Sequence, residues 1–202
     1  MPRRAKVERE TKETKIRASI NLDGKGDYKI NTSIPFIDHM LSLMSKHGHF
    51  DLSVEAKGDI DVDYHHLIED VGIVLGSAIK DALGKKQGIR RYGESLTPMD
   101  ECLAQVVIDL SGRPYLVYNV KLPRGGRQIK DIDSSLFEDF FRSISNTAGM
   151  NLHINLNYGR DLHHIFEAIF KGFGRALQSA VKIHPKAKGV PSTKGTLLKK
   201  FV

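Results

Sequence analysis

The 202-residue sequence predicts an α+β fold: an internally duplicated two-layer sandwich, each half a roughly four-stranded sheet with two helices packed on one face. Three observations carry this expectation. The motif HHxxE occurs twice, as His65-His66-Leu67-Ile68-Glu69 and as His163-His164-Ile165-Phe166-Glu167, and each copy opens an apolar run of helical period. The segments ahead of the two copies superpose at nearly constant offsets: FIDHML on LFEDFF and FDLSV on MNLHI at 100 residues, the motifs at 98, INLDG on IDLSG at 88. Alternating apolar and polar stretches precede the helices in both halves and mark half-buried strands. Residues 1–90 and 91–202 are therefore expected to be two half-repeats packed as one globular unit.

Taken in order, KIRASINLDG and GDYKINTSI read as two strands joined by a tight turn at Asp23-Gly24. Pro35 closes the second strand, and FIDHMLSLMSKHG follows as a helix stopped by Gly48. HFDLSVEAKGDID alternates as a strand, and the first motif helix runs from about Tyr64 to Leu83, where Gly84 ends it. In the second half, CLAQVVIDLSGRPYLVYNV supplies two strands around Ser111-Gly112 and SSLFEDFFRSISNTAG a helix. MNLHINLNYG is again a strand, and LHHIFEAIFKGFGRALQSAV is the second motif helix.

Composition narrows the function classes. Hydrophobic residues make up 40% and charged residues 27%, ordinary for a globular chain, and no run of about 18 apolar residues could span a bilayer. The start, MPRRAKVERETKETK, has no apolar core of a leader peptide, which predicts a cytoplasmic protein. One cysteine, Cys102, excludes an internal disulfide and reads as a small buried residue at a strand start. The net charge of +7 points to an anionic partner, for which nucleic acid, a membrane surface or a phosphorylated metabolite would all qualify, or to solvated basic ends at Pro2 to Lys15 and at Lys199 and Lys200. Without tryptophan, an aromatic-rich basic strand or a recognition helix, nucleic acid fits poorly.

The doubled motif carries the chemistry. On a helix, positions i and i+4 share a face while i+1 lies about 100° round it. His65 with Glu69, and His163 with Glu167, can each hold one ion, while His66 and His164 point elsewhere. Imidazole with carboxylate suits a divalent transition metal such as Mn, Fe, Co, Ni or Zn. The overlay adds two matched pairs, His39 with Asp139 and Glu13 with Glu101. Helix directions then group His39, His66, His163 and Glu167 around one ion, and His65, Glu69, Asp139 and His164 around the other. His153 reads as structural or as a support behind the donors, His184 as solvent-facing. His47 and His49 are loop residues or contacts to substrate.

With these residues assembled, the chain resembles the imidazoleglycerol-phosphate dehydratase family from Arg9 to Leu197, through RETKETKI, LDG, FIDHML, HGHFDL, HHLIEDVGIVLG, PMDE, DLSGRPYL, FFRSI, GMNLH, HHIFEAIFK and PSTKGTL. The resemblance implies a lyase that dehydrates D-erythro-imidazole-glycerol phosphate to imidazole-acetol phosphate in histidine biosynthesis. It also implies two Mn2+ per site, other divalent ions being possible, and a 24-subunit homo-oligomer with its sites between subunits. Metal positions carry over to His39, His65, His66, Glu69, His163, His164 and Glu167. Where the family has a further histidine, this chain has Asp139. Substrate contacts carry over to Glu13, His47, Arg91, Arg113, Lys171, Ser192, Thr193 and Lys194, and Glu13 is the expected catalytic base, with Glu101 the second candidate.

Overall fold

The computed structural model describes residues 3–187 and 189–197, and the basic pair Lys199 and Lys200 lies outside them. The first half comprises β1 (Arg4–Glu10), β2 (Thr14–Asn21), β3 (Tyr28–Asn31), α1 (Pro35–Gly48), β4 (Asp51–Gly58) and α2 (His65–Leu83). The second comprises β5 (Tyr92–Met99), β6 (Cys102–Asp109), β7 (Tyr115–Asn119), the short hairpin β8 (Gln128–Ile129) and β9 (Ile132–Asp133), α3 (Leu136–Ala148), β10 (Asn151–Tyr158) and α4 (Leu162–Val181). Strand orders β1-β2-β4-β3 and β5-β6-β10-β7 are identical in the two four-stranded sheets, and the α+β duplication stands. No helix among the described residues is long and apolar enough to cross a membrane.

Two local readings change. The expected hairpin at Asp23-Gly24 does not form: β2 pairs antiparallel with β4, and β3 pairs parallel with the other edge of β4. β6 and β7 likewise flank β10 instead of each other. In each sheet the later strand, β4 or β10, is thus inserted between its two predecessors. Each sheet also has an additional edge strand. β1 (RAKVERE) is mostly exposed, and β5 turns only Gly93, Ser95 and Thr97 inward, so neither shows the apolar alternation of a strand.

The helices lie between the two sheets. α2 packs on β1 and β2 and against α3; α4 packs on β5 and β6 and against α1. Each half therefore covers the other's helices, and a phenylalanine cluster fills the centre. Phe137 stacks on Phe166 at 4.0 Å between ring centroids, and Phe140 stacks on Phe170 at 5.4 Å. Phe166, Phe170 and Phe173 recur at the i, i+4, i+7 spacing of one helical face and are fully buried.

Glycines set how closely the helices approach. A Cβ on Gly174 of α4 would collide with the Met44 carbonyl and come within 3.1 Å of the Gly48 amide on α1. On α2, a Cβ at Gly72 would lie 2.6 Å from the Phe140 carbonyl and one at Gly76 2.7 Å from that of Ile144 on α3. Gly174→Ala must therefore push α1 away from α4, at a cost of roughly 1–3 kcal/mol. A denaturant midpoint unchanged from the parent would contradict this packing.

Candidate active site

Each motif helix starts at an aspartate two residues before its first histidine. Asp63 accepts from the backbone N–H of His65 at 2.7 Å, and Asp161 accepts from those of His163 and His164 at 2.7 and 3.2 Å. An aspartate satisfies amides that the helix leaves unpaired and fixes the first turn. The i and i+4 side chains then meet: His65 Nε2 stands 3.6 Å from Glu69, and His163 Nε2 stands 3.2 Å from Glu167.

The facing helix brings a convergent third donor to one motif and a carboxylate near the other. His39 of α1 places Nε2 3.8 Å from Glu167, and one ligand atom from each of His39, His163 and Glu167 falls within 4.8 Å of the others. That spacing and donor chemistry suit a divalent transition ion at about 2 Å from each atom. Asp139 of α3 comes within 3.9 Å of His65, at Nδ1 and not at the nitrogen that faces Glu69. The second trio is looser and more open. Glu69 is 44% exposed, whereas Glu167 is 10% exposed and bonded to Lys171. Burial opposes the charge on Glu167, but Lys171, His163 and His39 outweigh it and hold the carboxyl below its usual range.

His66 and His164 point away from both trios, as the i+1 position requires. Their Nδ1 atoms are held by carboxylates, His66 by Asp59 at 3.1 Å and His164 by Glu101 at 2.8 Å, which directs each Nε2 outward. A carboxylate behind a ligating imidazole fixes the ring and strengthens it as a donor. The same bonds raise the pKa of both rings, Asp59 being the main cause for His66 and Glu101 for His164.

Glu13 and Glu101 occupy equivalent corners, between β1 and β2 and between β5 and β6, yet they are used differently. Glu101 accepts from the amides of Asp161 and Arg160 and from Cys102, as well as holding His164, and these bonds depress its pKa strongly. In the first half Asp59 orients the histidine, and Glu13 stands 3.9 Å from His66 with more than half of its side chain exposed. Cys102 is buried beside Glu101 and its thiol is pushed up to about 11 by burial and by that carboxylate, which removes it as a nucleophile.

Five of the expected substrate residues, Arg91, Arg113, Ser192, Thr193 and Lys194, line one groove. Asp109 clamps Arg91 through two bonds of 2.7 and 3.1 Å, and the Pro191 carbonyl accepts a third at 3.0 Å. The groove lies beside the end of α4, where the Arg91 amide donates to the Ala180 carbonyl. Glu167 is thirteen residues earlier on that helix, a separation of about 20 Å. Lys171 stays near Glu167, and His47, at the end of α1, faces Lys171 and Arg175. A single chain thus separates the trio of His39, His163 and Glu167 from the anion groove. His153 is exposed on β10 and His184 is exposed after α4.

Sequence reasoning missed Asp59, Asp63, Asp109 and Asp161, as well as the orienting role of Glu101. The repeated Asp-x-His-His was the available signal for Asp63 and Asp161; Asp59 lies seven residues ahead of His66 with no carboxylate counterpart in the second half to mark it, and Asp109 acts on Arg91 from β6.

A profile of the family described as imidazoleglycerol-phosphate dehydratase matches residues 32–177. The chain is 55% identical to an imidazoleglycerol-phosphate dehydratase of Pelobacter propionicus and 57% identical to one of Citrifermentans bemidjiense, covering 98% of this chain and all of each relative. Crystal structures of the dehydratases of Staphylococcus aureus and Pyrococcus furiosus superpose with TM-scores of 0.80 and 0.81 at 39% and 34% identity. They cover 90% and 94% of this chain and 99% of each of theirs. The second of these holds the compound (S)-C348.

The surroundings of the rings order their titration. In ion-free protein, His66 and His164 should keep their protons to a higher pH than an ordinary histidine. His47, desolvated and facing Lys171 and Arg175, should lose its proton at a lower pH. An imidazole NMR titration that placed His47 above the other two would contradict these contacts.

Proposed function

The chain belongs to the imidazoleglycerol-phosphate dehydratase family, and on that premise we propose that its eight donor side chains hold two divalent ions, Mn2+ being the expected pair, at sites completed between copies of the chain. The protein is a carbon–oxygen lyase that converts D-erythro-imidazole-glycerol phosphate to imidazole-acetol phosphate in histidine biosynthesis. The observation that supports the shared site best is the split donor set. His39, His163 and Glu167 converge, while His66 is braced by Asp59 and faces outward.

In this reading His66 completes the trio of His39, His163 and Glu167 on another copy, and His164 completes His65, Glu69 and Asp139. The anion groove of one copy likewise serves ions carried by another, since a substrate of this size cannot bridge about 20 Å along α4. A closed homo-oligomer of 24 copies in the cytoplasm, the arrangement the sequence resemblance implies, satisfies that need.

Arg91, Arg113, Ser192, Thr193 and Lys194 bind the phosphate, where guanidinium groups, an ammonium and hydroxyls match a dianion. Asp109 holds the Arg91 guanidinium in a fixed orientation while it does so. Lys171 and His47 contact substrate at the ion end. Bound ions would supply Lewis acidity at the substrate's imidazole, which eases departure of the hydroxyl, as water, from the carbon beside the ring and acidifies the C–H on the next carbon. Glu13 takes that proton at its carboxylate: it sits on a turn fixed by its backbone amide to Thr11 Oγ and by its carbonyl to the Asp59 amide, leaving the side chain exposed. Glu101 does not share this role, because its four donors commit it to accepting hydrogen bonds.

The two glutamates should therefore separate on substitution. Glu13→Gln should cut turnover roughly 10²-fold or more with ion content and substrate binding preserved. Glu101→Gln should weaken ion retention roughly 10- to 100-fold by releasing His164. Turnover unchanged in Glu13→Gln, with the ions in place, would remove Glu13 as the base.

A further inference from the structure

The two halves descend to the same positions but do not arrive with the same groups, and the difference is concentrated around the ions. His39 on α1 has Asp139 as its counterpart on α3, so one trio has two imidazoles and one carboxylate and the other has one imidazole and two carboxylates. Lys171, which bonds Glu167, has Ile73 at the equivalent place one turn after Glu69. With neutral imidazoles, the first trio and its lysine sum to zero, while the second trio carries two negative charges. The supports behind the fourth histidines do not alter the balance, because each stands near two carboxylates, His66 near Asp59 and Glu13 and His164 near Glu101 and Asp100.

Geometry adds to the contrast. The ligand atoms of His39, His163 and Glu167 converge around a buried carboxylate, whereas His65 turns one ring nitrogen to Glu69 and the other to Asp139. We infer that the protein's two ion sites are chemically unequal, the α2/α3 site being an oxygen-rich, anionic site that favours hard ions such as Mn2+, and the α1/α4 site an imidazole-rich, electroneutral site that favours Zn2+ or Co2+.

Two reasons give the direction. Carboxylate oxygen suits Mn2+ better relative to Zn2+ than imidazole nitrogen does. The additional charge also retains any dication, and among the described residues no ammonium is paired with Glu69 to oppose it. The inference rests on the two-ion reading above, and its consequence is that the intact enzyme can carry one ion of each kind.

The test is competitive exchange on the assembled protein loaded with Mn2+ alone. Zn2+ is added in steps, and bound Mn2+ and Zn2+ are measured by elemental analysis after desalting, with the EPR signal of bound Mn2+ recorded in parallel. Two phases are expected: one Mn2+ per chain leaves early, and the other withstands roughly tenfold more Zn2+ or better. Asp139→His should draw the late phase toward the early one and leave the early phase in place. Ile73→Lys, at a partly exposed position that contacts no ion, should loosen the late phase alone. Loss of both ions in a single phase would overturn the inequality while leaving two ion sites in place; protein that retains no Mn2+ would overturn both.

Discussion

The site depends on how closely two pairs of helices can approach. α1 lies on α4 with its Gly48 against Gly174, and α2 lies on α3 with Gly72 and Gly76 against the carbonyls of Phe140 and Ile144. In both pairs the helices run in the same sense, so their first turns come together as well. His39 then reaches Glu167, and Asp139 reaches His65. These contacts link the first half to the second, because α1 supplies a donor to the motif of α4 and α3 supplies one to the motif of α2. A donor trio is therefore a product of the duplication and exists in neither half alone.

Duplication also provided spare groups that have since diverged. The corner glutamate of the second half braces a histidine, takes two backbone amides and is committed to that work. In the first half Asp59 has assumed the bracing, and its counterpart is Gly159, which has no side chain to offer. Glu13 is thereby released at the same corner. The exchange explains how one scaffold position can be a fixed support in one half and a proton acceptor in the other.

Much of this was legible in the sequence because the informative spacings are local. The i and i+4 pairs His65/Glu69 and His163/Glu167 lie on one helix face wherever the helix goes, and the i+1 histidines must diverge from them. The fixed offsets revealed the duplication and, with it, the equivalence of His39 and Asp139. What was not legible depends on pairing across the sheet. Asp23-Gly24 has the composition of a hairpin turn, yet β2 and β3 take opposite edges of β4, a strand that follows both in the sequence. β1 and β5 lacked an apolar signal, one being an exposed edge and the other turning Gly93, Ser95 and Thr97 inward. Asp59 and Asp109 act on His66 and Arg91 from elements whose proximity no local pattern records.

The account requires that one copy of the chain lend His66 to the trio of another. Co-assembly of two inactive variants tests this directly: His66→Ala, which has a trio but nothing to lend, and Glu167→Gln, which lends normally but has a broken trio. If the site is shared, the mixed assembly regains dehydratase activity that neither variant shows alone, because some interfaces unite an intact trio with an intact His66. A mixed assembly as inactive as its parents, with both variants shown to be incorporated, would contradict it.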